Sequence, residues 1–85
     1  MDGTKRIRVV ALGSAAAALG WSETTLELTS AARLSDLIDR LESQSDRLAA
    51  ARGRVRYAVN QKYANPAAEL ADGDEVAVIP PVSGG

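Results

Sequence analysis

Asp72-Gly73-Asp74-Glu75-Val76-Ala77-Val78-Ile79-Pro80-Pro81-Val82-Ser83-Gly84-Gly85 is the stretch from which the fold of this chain is read. Asp72-Gly73-Asp74 is a turn signal, because aspartate bonds its own backbone and glycine accepts a positive φ. Glu75 to Ile79 then alternates as a strand does, with Val76 and Val78 on one face and Ala77 and Ile79 on the other. Pro80-Pro81 ends that strand, since proline cannot donate to a ladder and its φ is fixed. Beyond it the chain carries no charged side chain and finishes on two glycines. From Pro81 to Gly85 an extended chain reaches roughly 15 Å, at about 3.3 Å per residue. The expected organisation is a compact domain over residues 1–79 and a flexible tail over residues 80–85.

Such a tail needs a firm root, and the rest of the chain supplies one. Lys5 to Leu12 has period two: Ile7, Val9 and Ala11 on the core face, Arg8, Val10 and Leu12 on the other. Gly13 breaks this strand. Ser14 is a candidate cap for a short helix over Ala15 to Leu19, with Gly20 suited to its left-handed end. Trp21 is expected to pack as a lid on the core. Thr24 to Thr29 reads as a second strand pairing with the first.

Leu34, Leu37, Ile38 and Leu41 recur at the spacing of a one-sided helix. It is placed near Ala32 to Ser43, with Ser30 as a candidate cap and Asp36, Asp39 and Arg40 on a solvated face. Gln44 to Gly53 is expected to be loop with one helical turn near Asp46 to Ala51. Val55 to Val59 is a third strand with Tyr57 turned inward. Asn60 to Tyr63 is a tight reversal or a short strand, and Leu70 plugs the core. First and last strands are the most apolar and belong side by side at the centre. The fold class is α+β: a mixed sheet gripping one main helix.

Composition narrows the chemistry. An 85-residue chain, 46% hydrophobic and 25% charged, makes one small domain. A net charge of −1 implies no basic patch, so nucleic acid is not an expected partner. Apolar runs are too short for a membrane span, and no signal-peptide pattern opens the chain, so a cytoplasmic location is expected. There is no cysteine and no histidine, which removes thiol chemistry, the commonest general base and the commonest metal ligand. No ligand cluster suggests a metal. Reactive chemistry falls to carboxylates, hydroxyls, lysine or the chain's own end.

The Asp72–Gly85 run resembles the C-terminus of the MoaD/ThiS sulfur carriers, which are ubiquitin-like β-grasp proteins. Its Pro-Pro-Val-Ser-Gly-Gly ending, together with Ala58-Val59-Asn60-Gln61, is most similar to the molybdopterin synthase small-subunit group. Two positions depart from that family's pattern. Ala16-Ala17 stand where an Arg-Glu pair is frequent, and Arg33 stands where Thr or Ser is frequent at the helix start.

The resemblance implies a sulfur carrier that is not catalytic alone. Gly85 would be adenylated by a ubiquitin-activating-type adenylyltransferase using ATP, then thiocarboxylated with sulfur from a donor protein. No permanently bound cofactor is implied. Pro80, Pro81, Val82, Ser83 and Gly84 would enter the active site of the molybdopterin synthase large subunit, where sulfur passes to a cyclic pterin phosphate. Leu12, Tyr63 and Ile79 match positions where family members present apolar groups to their partners. The same ending would also serve a carrier for thiazole or cysteine synthesis, or a ubiquitin-like modifier joined to lysines.

Overall fold

A computed structural model describes residues 3–81. The elements in order are β1 (Thr4–Ala11), α1 (Gly13–Leu19), β2 (Glu23–Thr29), α2 (Leu34–Gln44), α3 (Asp46–Ala50), β3 (Arg56–Val59), β4 (Lys62–Tyr63) and β5 (Glu75–Ile79). They form one five-stranded sheet in the order β2-β1-β5-β3-β4. β5 lies parallel to β1, from Arg8 opposite Glu75 to Ala11 opposite Val78. It lies antiparallel to β3, from Arg56 opposite Ile79 to Val59 opposite Val76. The first and last strands are therefore neighbours at the centre, and the fold is the ubiquitin-like β-grasp.

Alternation divides the sheet into two faces. Ile7, Val9, Val76 and Val78 are fully buried against Leu34, Leu37 and Leu41 of α2, with Leu28, Leu48, Tyr57 and Leu70 closing the cluster. Each fully buried aliphatic side chain contributes about 1.5–3 kcal/mol of transfer free energy. Trp21 packs partly buried on this cluster, as its lid position implied.

The helix ends use other groups than the serines. α1 begins at Gly13, with Leu12 in the cap position and no side-chain cap, so Ser14 does not serve. Gly13 has a φ of +47°, which glycine accepts readily. Gly20 does close α1, at φ +86°, its N–H donating to the Ala16 carbonyl at 2.8 Å. α2 begins at Leu34 rather than Ala32, and Ser30 is not its cap. The Arg33 N–H instead donates to Asp36 Oδ2 at 2.8 Å, holding the chain as it enters the helix. Arg40 donates to the Glu27 carbonyl at 2.8 Å, tying α2 to β2, so this face is more than solvated charge.

Gln44 to Gly53 carries the helical turn expected near Asp46 to Ala51. α3 is a short helix capped by Ser45, whose Oγ accepts from the Leu48 N–H at 3.1 Å. The reversal after β3 resolves into a turn and a strand. Asn60 and Gln61 both have positive φ, 51° and 71°, as a two-residue hairpin turn with the right twist requires. Asn60 also accepts from the Glu75 N–H at 3.0 Å and donates to Asp74 Oδ1 at 2.9 Å, stitching this turn to the start of β5.

One core group was not foreseen. Lys5 continues the inward face of β1 and is only 5% exposed. Its Nζ donates to the carbonyls of Ser30 (2.9 Å), Ala32 (2.8 Å) and Leu70. The buried ammonium thereby fastens β1 to the entry of α2 and to the segment before β5.

Candidate functional site

Each apolar residue expected to meet a partner lies on the sheet face away from α2. The registers build this face row by row. Val10 pairs with Ala77, Ala77 with Ala58, and Ala58 with Tyr63. The next row starts at Leu12, whose N–H donates to the Val78 carbonyl at 3.1 Å, one residue past the end of β1. Ile79 follows, then its partner Arg56. Leu12 (45% exposed) and Tyr63 (68% exposed) are the large exposed hydrophobic side chains among the described residues. Ile79 is half-buried between them.

Two alanines form the middle of this face, Ala77 half-buried and Ala58 buried beneath its larger neighbours. The apolar groups open to another protein are Leu12, Tyr63 and, in part, Ile79. Arg56 holds its guanidinium over the Tyr63 ring, 5.5 Å from the centroid, within cation–π range. At the other end the apolar area stops at Arg8, which pairs with Glu23 at 2.8 Å and Glu75 at 3.7 Å. The hydrogen bond and charge of Glu23 raise the Arg8 pKa further, so this boundary stays cationic at all ordinary pH.

The root of the tail sits at the edge of this face. Pro80 is half-buried and Pro81 exposed. A Cβ on Gly13 would meet Pro80 Cγ at 3.6 Å, an ordinary contact, so the left-handed φ rather than crowding favours glycine there. Pro80 and Pro81 line a groove of about 170 Å³ with Ala15 and Ala18 of α1, Arg47 and Leu48 of α3, and Val55. Ala16, at the first position where the family frequently has Arg-Glu, packs partly buried against the core. Val82, Ser83, Gly84 and Gly85 lie outside the described residues.

A larger groove, about 590 Å³, opens between α2 and the β3–β4 edge. Tyr57 lies in its wall, 8% exposed, and its hydroxyl has no hydrogen-bond partner among the described residues. Burial pushes this phenol up to about 12; the nearby Glu42 carboxylate adds to the rise and Arg52 opposes it. Arg52 and Glu42 form a two-pronged ion pair across the same wall. No group of His, Cys, Asp and Glu among the described residues could hold a metal ion. No helix among them is long and apolar enough to cross a membrane.

Leu12, Tyr63 and Ile79 were legible beforehand from alternation and resemblance, and the fold does bring them to one face. Ala77 was read onto this face with Ile79, and the registers bear that out, but Ala58 was missed. Alternation about the inward Tyr57 would have found Ala58.

The chain matches the ThiS family over residues 9–85. A Chlamydomonas reinhardtii protein, "Molybdopterin synthase sulfur carrier subunit", is 35% identical over 82 residues, covering 94% of this chain and 99% of that one. The solved structure of "Putative molybdopterin converting factor, subunit 1 from Pyrococcus furiosus" superposes with a TM-score of 0.82 at 29% identity, covering 92% of this chain and 99% of the other. A "Protein-protein complex of subunit 1 and 2 of Molybdopterin-converting factor" from Helicobacter pylori contains a chain similar in fold, with a TM-score of 0.65 at 23% identity over 94% of this chain and 99% of that one.

Proposed function

This chain belongs to the ThiS family, and on that premise we propose that it is the sulfur carrier of molybdopterin synthesis, its working group the C-terminal carboxylate of Gly85. The observation that carries the reading is the placement of β5. This central strand runs into Pro80-Pro81 beside an exposed apolar face, so one partner surface can hold Leu12, Ile79 and Tyr63 while receiving the tail.

A carboxylate is a poor electrophile. Attack of its oxygen on the α-phosphorus of ATP forms an acyl-adenylate and releases pyrophosphate. A persulfide sulfur from the donor protein then attacks the acyl carbon and expels AMP, and cleavage of the sulfur–sulfur bond by a thiol leaves a thiocarboxylate. That group is ionised and nucleophilic at neutral pH; in the large subunit its sulfur attacks a carbon of the cyclic pterin phosphate and displaces an oxygen substituent, and hydrolysis of the resulting thioester leaves sulfur on the pterin and returns Gly85 as a carboxylate. Two such deliveries supply the two sulfurs of a dithiolene.

The chain's own residues contribute presentation. Gly84 and Gly85 carry no side chain to obstruct a narrow tunnel that keeps water from the adenylate. Pro80-Pro81 limits conformers and so lowers the ordering entropy lost on insertion. Leu12, Ile79 and Tyr63 supply the docking contacts. With no cysteine or histidine, the chain leaves catalysis to its partners.

The test is mass spectrometry of the C-terminus after incubation with the host's activating enzyme, ATP and a persulfide donor. The full chain should gain the mass of one oxygen-to-sulfur exchange, and a chain lacking Gly85 should not. Conversion of pterin by the truncated chain would refute the proposal. Isopeptide adducts through Gly85, with no thiocarboxylate, would indicate a protein modifier instead.

A further inference from the structure

The segments beside the tail's root carry an excess of positive charge. Residues 47–56 contain four arginines and no acid, and residues 9–22 contain no charged side chain. Arg52 is occupied by Glu42 and Asp39. Arg47, Arg54 and Arg56 are exposed and form no ion pair or side-chain hydrogen bond among the described residues.

These three surround the tail's root. Arg47 shares a groove with Pro80 and Pro81. Arg56 stands across the ladder from Ile79, the residue before the prolines. Arg54 lies two residues before Arg56 in the turn after α3, its N–H donating at 2.9 Å to the carbonyl of Ala51, which lines the same groove as Pro80 and Pro81. The nearest acid in sequence is Asp46, at the head of α3. Asp72 and Asp74 lie at the opposite end, where Asp72 accepts from the Arg6 N–H at the start of β1. A chain of net charge −1 thus carries three arginines near the tail's root that have no ion-pair partner among the described residues.

We propose that Arg47, Arg54 and Arg56 form a cationic collar that docks on an acidic rim around the site of the enzyme that activates the tail. The proposal rests on the sulfur-carrier reading. Loading brings an anionic carboxylate to a multiply anionic nucleoside triphosphate, an approach that charge opposes. Three unpaired cations behind the tail offset that repulsion when they meet carboxylates at the tunnel mouth. Such charges steer encounter over about a Debye length, roughly 8–10 Å, and salt weakens them.

The experiment is ATP–pyrophosphate exchange by the host's activating enzyme, with the carrier varied at several ionic strengths. The triple variant Arg47→Ala, Arg54→Ala, Arg56→Ala should lose about tenfold in kcat/KM at low salt. The loss should lie in KM, kcat should stay within about twofold, and added salt should erase the difference. Arg54→Glu should be impaired far more than Arg6→Glu, which makes the same charge change at the opposite end. A circular dichroism melt confirms folding, since these exposed side chains form no ion pair or side-chain hydrogen bond among the described residues, and Arg56 meets only the exposed Tyr63 ring.

Equal kcat/KM and equal salt slopes for triple variant and wild type would overturn the collar while leaving the sulfur-carrier reading intact. A wild-type chain that supports no exchange would sink that reading, and the collar with it. Binding of a labelled DNA duplex by the wild type, lost in the triple variant while exchange is unchanged, would reassign the arginines to nucleic acid.

Discussion

The Leu12 N–H donates to the Val78 carbonyl at 3.1 Å, extending the central parallel ladder one residue beyond β1. Leu12 is therefore held at the same level as Ile79, although it is exposed and already outside the strand. The apolar groups that flank the tail's exit are fixed by backbone bonds, so a partner meets them in one arrangement.

Leu12→Arg should weaken association with the synthase large subunit by about 2 kcal/mol or more, the scale of a central interface residue. Tyr63→Ala should cost about 1 kcal/mol or more. Both side chains are largely exposed, so urea midpoints should stay close to wild type. Titration calorimetry reads the first effect; unchanged affinity in both variants would remove this face from the interface.

Replacing Pro80 and Pro81 together by glycine should leave the domain's stability nearly unchanged and weaken tail-dependent binding. The loosened segment has more conformers to lose on insertion, at about 0.4–1 kcal/mol per substitution. The difference should vanish when affinities are compared for chains truncated after residue 81. If it persisted there, the prolines would act through direct contact.

Lys5→Met keeps a long apolar stem but withdraws the donor from the carbonyls of Ser30, Ala32 and Leu70. Each buried unsatisfied acceptor costs about 1–3 kcal/mol, partly relieved by admitted water. A net destabilisation of about 2–4 kcal/mol is expected in urea unfolding. A variant as stable as wild type would show that the ammonium's own desolvation cancels its bonds.

Tyr57→Phe removes a hydroxyl that has no partner among the described residues, so stability at neutral pH should be equal or higher by up to about 1 kcal/mol. The two proteins should diverge in alkali. The folded phenol ionises near 12 against an ordinary value of 10.0. The folded state thus retains its proton where the unfolded chain has lost it. Wild-type stability is unaffected below pH 10, then falls by about 1.4 kcal/mol per pH unit until the folded group also titrates. Urea midpoints of wild type and variant from pH 9 to 12 measure this, and parallel curves would contradict it.

What the sequence made legible was whatever periodicity encodes. Ile7-Val9-Ala11 and Val76-Val78 alternate because one face is buried, and Leu34-Leu37-Leu41 repeat because one stripe is. These patterns sufficed to put β1 beside β5 and α2 across them. Partners distant in the chain were not legible. Lys5 looks like a surface residue opening a strand, and only its three carbonyl acceptors explain its burial. Ser14 and Ser30 have the chemistry of caps, but helix starts also depend on where the preceding strand releases the chain. The tail-root arginines are spread over residues 47–56, and only the β3–β5 register and the α1–α3 groove bring Arg56 and Arg47 to Ile79, Pro80 and Pro81.

The sheet order also has a mechanical consequence. A partner that tugs on the tail applies tension along β5, which is bonded to β1 on one side and β3 on the other. That load acts in shear, so it strains both ladders together and cannot peel them apart bond by bond. The domain is therefore a sturdy handle, as the proposed function would require of one whose end is inserted into and withdrawn from an enzyme.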